Sequence, residues 1–140
     1  MKTIIRNATI VNEGKKIITD VLLSNERIEK IGLDIEFVNL SSYTEINAEG
    51  LYLLPGIIDN QVHFREPGLT HKGTIYSESK AAVAGGITSF MDMPNTIPNT
   101  LTQELLEEKY VEASKTSLAN YSFFMGINQN NLEEALKTDN

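Results

Sequence analysis

The sequence PGIIDNQVHFREPG, residues 55–68, combines an apolar segment with a series of polar side chains. A largely apolar run over residues 51–58 leads into polar side chains at every second position. Because successive side chains of a β-strand point to opposite faces, we expect these alternate polar residues to share one face. They are Asp59, Gln61, His63 and Arg65. The stretch therefore predicts a buried strand with a functional site at its C-terminal end.

Upstream of this stretch, residues 1–50 have the pattern of a small β module. Short runs with strand character cover residues 3–11, 16–24 and 28–32, with turn sequences at residues 12–14 and 25–26. Their spacing is typical of hairpins, and the strands are too short to bury both faces alone. We therefore expect two domains, with a boundary between residues 50 and 51.

From residue 51 onward, a pattern of strand, loop and helix repeats three times. Strands are predicted over residues 52–63, 87–93 and 121–127, and helices over residues 74–84, 101–117 and 132–137. Pairs of a capping residue and a residue three positions later predict the starts of the second and third helices, at Thr100 with Gln103 and at Asn131 with Glu134.

The spacing of these strands indicates an α/β fold. Strand starts lie about 30 to 35 residues apart, the size of a βα unit, and eight such units form a closed barrel of roughly 250 residues. Three units would leave two open sheet edges. We therefore expect the first three βα units of a longer barrel, with a complete three-layer α/β domain as the alternative.

Composition excludes several classes of function. The formal net charge of −7 argues against nucleic acid or an anionic membrane as a partner, since both need a basic surface. The sequence has no cysteine, so disulfides and thiolate metal sites are excluded and a reducing, cytoplasmic setting is expected. No run approaches about 18 apolar residues, and the N-terminus lacks the apolar core of a signal peptide.

Three side chains near predicted strand ends could carry chemistry. The His63 imidazole could bind a catalytic metal, or it could be a loop histidine that only forms hydrogen bonds. The Arg65 guanidinium suits bidentate binding of a carboxylate, but it could instead pair with Glu66. Asn95 offers an amide donor and acceptor, although Pro-Asn-Thr is also an ordinary turn sequence. Asp92, inside the second predicted strand, could act either as a hydrogen-bond acceptor or as a cap.

The sequence HFREPG at residues 63–68, with MPNT at residues 93–96, resembles class I dihydroorotase of the amidohydrolase superfamily. The resemblance implies a TIM-type (β/α)8 barrel preceded by a β-sandwich segment, and a hydrolase with one or two Zn²⁺ ions. It implies that His63 binds metal and that Arg65 and Asn95 bind substrate. The superfamily pattern is DxHxH, and Gln61 stands at its first histidine, where an amide is the weaker ligand.

The resemblance implies reversible hydrolysis of dihydroorotate to N-carbamoyl-aspartate in pyrimidine biosynthesis. We expect the 140-residue chain alone to be inactive, because the remaining metal ligands and the catalytic base would come from later strands. Two alternatives stay open. One is a non-catalytic scaffold, which the glutamine at position 61 makes plausible. The other is a hydantoinase-like or allantoinase-like amidase. A homo-oligomer or an assembly with a carbamoyltransferase is also expected.

Overall fold

The structure is a computed structural model that describes residues 1–35 and 43–139. The chain forms two compact units, Met1–Pro55 and Gly56–Asn140. Each unit contains its own sheet, and each is described separately below.

The first unit is a five-stranded sheet built on two hairpins. Strands β1 (Lys2–Asn12), β2 (Lys15–Ser24) and β3 (Arg27–Gly32) form an antiparallel meander, which confirms the predicted hairpins. Two further strands, β4 (Thr44–Asn47) and β5 (Tyr52–Leu53), run parallel to β1. The sequence did not predict β4, because all four of its side chains are exposed and it lacks an apolar face.

A bulge in β1 brings a charged pair into this unit. The register of β1 against β2 shifts between Ile5 and Ala8, and Asn7 in between has a left-handed backbone with φ of 57°. The Asn7 N–H donates to Asp20 Oδ1 at 2.9 Å, and Arg6 donates to Asp20 Oδ2 at 2.7 Å. The Asn7 N–H, and to a smaller extent the Arg6 guanidinium, hold the pKa of Asp20 below its ordinary value.

The second unit has the predicted order of strands and helices. Its elements are β6 (Ile57–Val62), α1 (Ile75–Ala84), β7 (Ile87–Asp92), α2 (Gln103–Thr116), β8 (Asn120–Phe123) and α3 (Leu132–Ala135), the last followed by a 3₁₀ turn, Leu136–Asp139. The strands form one parallel sheet in the order β6-β7-β8. Parallel strands joined by helices are the α/β pattern that the sequence predicts.

The continuous strand predicted over residues 52–63 is wrong. The segment forms two strands in different sheets, because β5 pairs with β1 whereas β6 pairs with β7. Pro55 lies between them and has no N–H to donate to a ladder, so the run cannot continue as one paired strand. The third predicted strand, residues 121–127, is shorter in the structure and ends at Phe123.

The predicted cap of α2 at Thr100 is also wrong. Thr100 is 1% exposed and its N–H donates to the Pro94 carbonyl, so it belongs to the preceding loop. Thr102 begins the helix instead, with its hydroxyl accepting the Leu105 N–H at 3.2 Å. The start of α1 is as predicted, since Thr74 and Ser77 form a reciprocal capping box.

The predicted capping box at the start of α3 is wrong for a different reason. The Asn131 side chain makes no cap bond and instead donates to the carbonyls of Leu101 and Gly126, each at 2.8 Å. The Glu134 carboxylate accepts the N–H of Gln103 at 3.2 Å, so it caps α2 rather than its own helix. Both side chains therefore join two segments about 30 residues apart, which a local pattern does not reveal.

An aromatic cluster forms the core of the second unit. Its buried members are Phe64, Ile75, Phe90, Ala113 and Phe123. The rings of Phe64 and Phe90 lie 4.4 Å apart, which packs the segment after β6 onto the middle of β7. Leu106, Tyr110 and Ala113, which are three or four residues apart and therefore lie on one face of α2, cover the cluster.

Two loops at the end of this sheet approach each other closely at Gly68. The N–H of Ile97 donates to the Pro67 carbonyl at 3.2 Å. A Cβ added to Gly68 would lie 2.0 Å from the Ile97 carbonyl oxygen, and the backbone of Gly68 is left-handed with φ of +81°. Glycine is therefore required here both by conformation and by space.

We expect Gly68→Ala to destabilise the second unit more than Gly86→Ala does. Gly86 has a similar φ of +88° but no atom within 4 Å of an added Cβ, so its substitution isolates the conformational cost. That cost is about 1 to 2 kcal/mol, and the clash at Gly68 adds at least about 1 kcal/mol. Urea unfolding of both variants measures the difference. Equal destabilisation would contradict the close approach of the loops.

Candidate active site

The ends of β6 and β7 bring two predicted site residues into contact. Val62 pairs with Asp92, and the Met93 N–H donates to the Val62 carbonyl at 2.9 Å, so the two strands end side by side. His63 follows the first strand and Asn95 follows the second. Their side chains meet, with His63 Nδ1 2.8 Å from Asn95 Oδ1.

The contact with Asn95 fixes which nitrogen of His63 is available to a ligand. An amide oxygen only accepts hydrogen bonds, so Nδ1 of a neutral His63 must carry the proton. The lone pair of Nε2 is then available to a metal or to a proton donor. His63 and Asn95 are both exposed, so this nitrogen is on an accessible part of the unit.

The predicted alternation of side chains from Asp59 to Arg65 does not extend along the whole segment. The Gln61 N–H donates to Asp59 Oδ1 at 3.1 Å, and the register against β7 is irregular between Asp59 and Val62. The strand ends at Val62, and Arg65 has a left-handed backbone with φ of 73°. The expectation that Arg65 shares a strand face with His63 is therefore wrong. Gln61 is exposed.

Arg65 is not held by the neighbouring glutamate. Glu66 Oε2 instead accepts the N–H of Ile75 at 2.7 Å, in the first turn of α1. Within residues 1–35 and 43–139, no ion pair involves Arg65, which is half-buried. The guanidinium is therefore available to an anion at the end of β6, which is what binding of a substrate carboxylate requires.

A buried ion pair lies directly beneath these residues. Asp92 Oδ2 accepts from Lys109 Nζ at 2.7 Å, and both side chains are 1% exposed. Asp92 Oδ1 accepts the Phe64 N–H at 2.9 Å, and Lys109 Nζ also contacts the Met93 carbonyl at 3.3 Å. The ammonium lies 4.8 Å from the centre of the Phe123 ring. The pair thus joins β7, α2 and the segment that carries His63.

Sequence reasoning missed Lys109, although a signal was present. Lys109 lies one turn from Leu106 and from Ala113, on the stripe of α2 that faces the core. A lysine in an apolar stripe needs a buried partner. Asp92, between two methionines in a predicted strand, needs one for the same reason. Together, the two misplaced charges indicate a buried pair between strand and helix.

Comparison with known proteins identifies the family. Residues 50–139 match the family model described as Dihydro-orotase-like. The chain belongs to this family. A curated dihydroorotase from Lactococcus lactis is 40% identical over 120 residues, covering 84% of this chain and 28% of that protein. One from Methanosarcina acetivorans is 41% identical over 126 residues, covering 90% of this chain and 27% of that protein.

Solved structures of hydantoinases and dihydropyrimidinases are also similar to this chain. An L-hydantoinase (dihydropyrimidinase) from Arthrobacter aurescens has a TM-score of 0.90 and 28% identity, covering 98% of this chain and 30% of that one. A dihydropyrimidinase from Brevibacillus agri NCHU1002 has a TM-score of 0.83 and 30% identity, covering 100% of this chain and 31% of that one. This dihydro-orotase-like chain thus spans about a third or less of the length of these relatives.

The donor set available for a metal in this dihydro-orotase-like chain is small. In the part of the chain that the structure describes, no group of three or more His, Asp or Glu side chains could hold a metal ion. His63 offers one imidazole nitrogen of the right type, and Gln61 offers one amide oxygen. These residues fit one strong and one weak position of a coordination sphere, but they do not form a complete site.

No helix in the described residues is long and apolar enough to cross a membrane.

We expect Lys109→Ala to destabilise the second unit by about 3 to 5 kcal/mol, because it leaves the Asp92 carboxylate buried without its counter-ion. The matched control is Lys115→Ala on the same helix, whose partner Glu112 and own side chain are 41% and 60% exposed. That variant should cost less than about 1 kcal/mol. Urea unfolding followed by circular dichroism measures both. A cost for Lys109→Ala as small as the control would contradict the burial of the pair.

Proposed function

We propose that this chain is part of a dihydroorotase-like enzyme that reversibly hydrolyses dihydroorotate to N-carbamoyl-aspartate. In that reaction, the oxygen of water bonds to a ring carbonyl carbon, the ring C–N bond breaks, and the nitrogen takes a proton. The observation that carries the proposal is the contact between His63 and Asn95 at 2.8 Å, with Arg65 two residues after His63. The dihydroorotases at about 40% identity support it.

We further propose that the second unit forms the first three βα units of a TIM-type barrel and that the first unit is part of a β-sandwich. The hydantoinase and dihydropyrimidinase structures similar to this chain support the barrel, and so does the fact that this chain covers about 30% of their length. Under this proposal the predicted domain boundary near residue 50 lies a few residues before Pro55, where the first compact unit ends. In such barrels, substrate binds at the C-terminal ends of the strands, which is where His63 and Asn95 lie.

Each site residue has a role that follows from its chemistry. The Arg65 guanidinium would bind the carboxylate of dihydroorotate by paired hydrogen bonds. The Asn95 oxygen orients His63, and its amide nitrogen could donate to a ring carbonyl of the substrate. With Nδ1 of His63 in contact with Asn95, the lone pair that can bind a metal is on Nε2.

The metal would be Zn²⁺, held by Nε2 of His63, with the exposed Gln61 as a weak or indirect ligand. When bound, such an ion supplies an activated water and polarises the scissile carbonyl. Further ligands would come from residues outside this chain. The same proposal includes a cytoplasmic location, and either a homo-oligomer or an assembly with a carbamoyltransferase.

Hydantoin hydrolysis is the second candidate, because the solved structures similar to this chain include hydantoinases with TM-scores of 0.90 and 0.81. The two substrates differ in a group that Arg65 could recognise. Dihydroorotate carries a carboxylate on its ring, and an unsubstituted hydantoin ring does not. Only the first substrate gives Arg65 an anion to bind. A non-catalytic scaffold is the third candidate, which Gln61 favours.

We expect Arg65→Met to reduce kcat/KM for dihydroorotate by about 10- to 100-fold, the value of a lost charge-assisted hydrogen bond. The assay uses a protein of the relatives' full length that carries this chain, and it compares dihydroorotate with hydantoin. Arg27→Met, in β3 of the first unit, is the matched control and should leave both activities unchanged. Turnover of hydantoin but not dihydroorotate would contradict the main proposal in favour of the second, and turnover of neither would favour the scaffold.

We expect Gln61→His to increase the zinc content and zinc affinity of the same protein, because imidazole is a stronger ligand than an amide. Elemental analysis after purification without chelator, followed by zinc titration, measures the change. Asn60→His, an exposed neighbour of Gln61 one residue earlier in β6, is the control for an added imidazole. Equal zinc binding by both variants would contradict a metal position at residue 61.

A further inference from the structure

We propose that the buried Asp92–Lys109 pair is a positioning device that sets the contact between His63 and Asn95. Its relevance to catalysis rests on the proposed function above. The device itself is a property of the folded chain, and it can be tested without any turnover. Asp92 and Lys109 are positioning residues, since they bond to each other and to main-chain groups, and not to the side chains of His63 and Asn95.

The first half of the device acts on His63. Asp92 Oδ1 accepts the N–H of Phe64 at 2.9 Å, and the peptide group that contains this N–H also contains the carbonyl of His63. The Phe64 ring is 6% exposed and packs against Phe90 at 4.4 Å. The peptide plane is thus held by a hydrogen bond and the following side chain by packing, which restricts the direction in which the His63 imidazole leaves the main chain.

The second half acts on Asn95. Lys109 Nζ lies 3.3 Å from the carbonyl of Met93, two residues before Asn95, while the Met93 N–H donates to Val62. Pro94, between Met93 and Asn95, has a fixed φ, so the course of the chain from Met93 to Asn95 has little freedom. The Lys109 ammonium contacts both the Asp92 carboxylate and the Met93 carbonyl. The segment that carries His63 and the segment that carries Asn95 are therefore both positioned relative to this one ammonium.

Apolar residues at positions 92 and 109 could not orient the main-chain groups next to His63 and Asn95. A buried ion pair is expensive to desolvate, and well-packed apolar residues of similar volume are often as stabilising or more so. Such residues would fill the space between β7 and α2. They would leave the Phe64 N–H and the Met93 carbonyl without these partners. The proposal therefore separates two properties, stability of the unit and orientation of His63, that the same residues could influence.

The histidine content of the chain makes the orientation measurable. The sequence has two histidines, and His71 is exposed in the loop before α1. Nitrogen-15 NMR of the full 140-residue chain, at a pH about two units above the ordinary histidine pKa of about 6.5, distinguishes the two neutral tautomers. The wild type is expected to give the Nδ1–H form for His63, since Asn95 Oδ1 accepts from that nitrogen. His71 is the internal reference.

The decisive variant replaces both charges, Asp92→Leu with Lys109→Met. We expect it to remain folded by circular dichroism but to lose the Nδ1–H form of His63, whose nitrogen shifts should move to those of His71. The matched control is Tyr110→Phe with Ser122→Ala, which removes another polar contact between α2 and a strand, 3.0 Å long. The control should keep the wild-type His63 signals.

A folded double variant with unchanged His63 signals would overturn the proposal, and so would a change of equal size in the control. If the double variant does not fold, hydrogen exchange of the wild type decides. The Phe64 amide, which the device requires to be bound, should exchange as slowly as the Met93 amide, which donates to the Val62 carbonyl just after β7. Exchange at the rate of an open loop would overturn the proposal. Absence of turnover in the activity assay would leave all of these readouts unaffected.

Discussion

The ion pair between Asp92 and Lys109 joins more elements of the second unit than any other single contact described above, because it links β7, α2 and the loop after β6. Two charges at 1% exposure are tolerated only when each finds a partner, so β7 and α2 cannot separate without leaving a bare charge in the core. The same carboxylate holds the N–H of Phe64, so the strand, the helix and the loop after β6 are fixed together. The aromatic cluster packs around this arrangement, with Phe123 lying 4.8 Å from the ammonium.

The location of the Asp92–Lys109 pair bears on how the candidate site residues His63 and Asn95 are held. His63 and Asn95 are exposed, and exposed side chains are usually free to take several rotamers. Here, both leave the main chain next to groups that the buried pair contacts, at adjacent ends of parallel strands. The dihydro-orotase-like family membership and the hydantoinase-like fold are consistent with a site at this edge. Gln61, which stands at the first histidine of the DxHxH pattern that the sequence resembles, belongs to the proposed metal site rather than to this framework.

Local patterns predicted those features that depend on neighbours in sequence. The hairpins of β1, β2 and β3, the start of α1 at Thr74 and the core face of α2 follow from turn residues, caps and apolar spacing. The predicted helix caps were wrong where a partner outside the helix concerned decided the outcome. Asn131 and Glu134 fit a capping box by spacing, but their partners are Leu101, Gly126 and Gln103. Thr100 was misassigned because the Pro94 carbonyl, across the loop, holds its N–H.

The α/β pattern, the family resemblance and the site candidates follow from the residues alone, since motifs and periodicity are properties of residues close together in the chain. The folded chain was needed to show that His63 Nδ1 meets Asn95, that Arg65 lies beyond the strand in a left-handed conformation, and that Lys109 is buried. Each of these depends on contacts between segments at least 16 residues apart, or on where a strand ends against its neighbour. Such contacts depend on packing in three dimensions, which spacing along one chain does not encode.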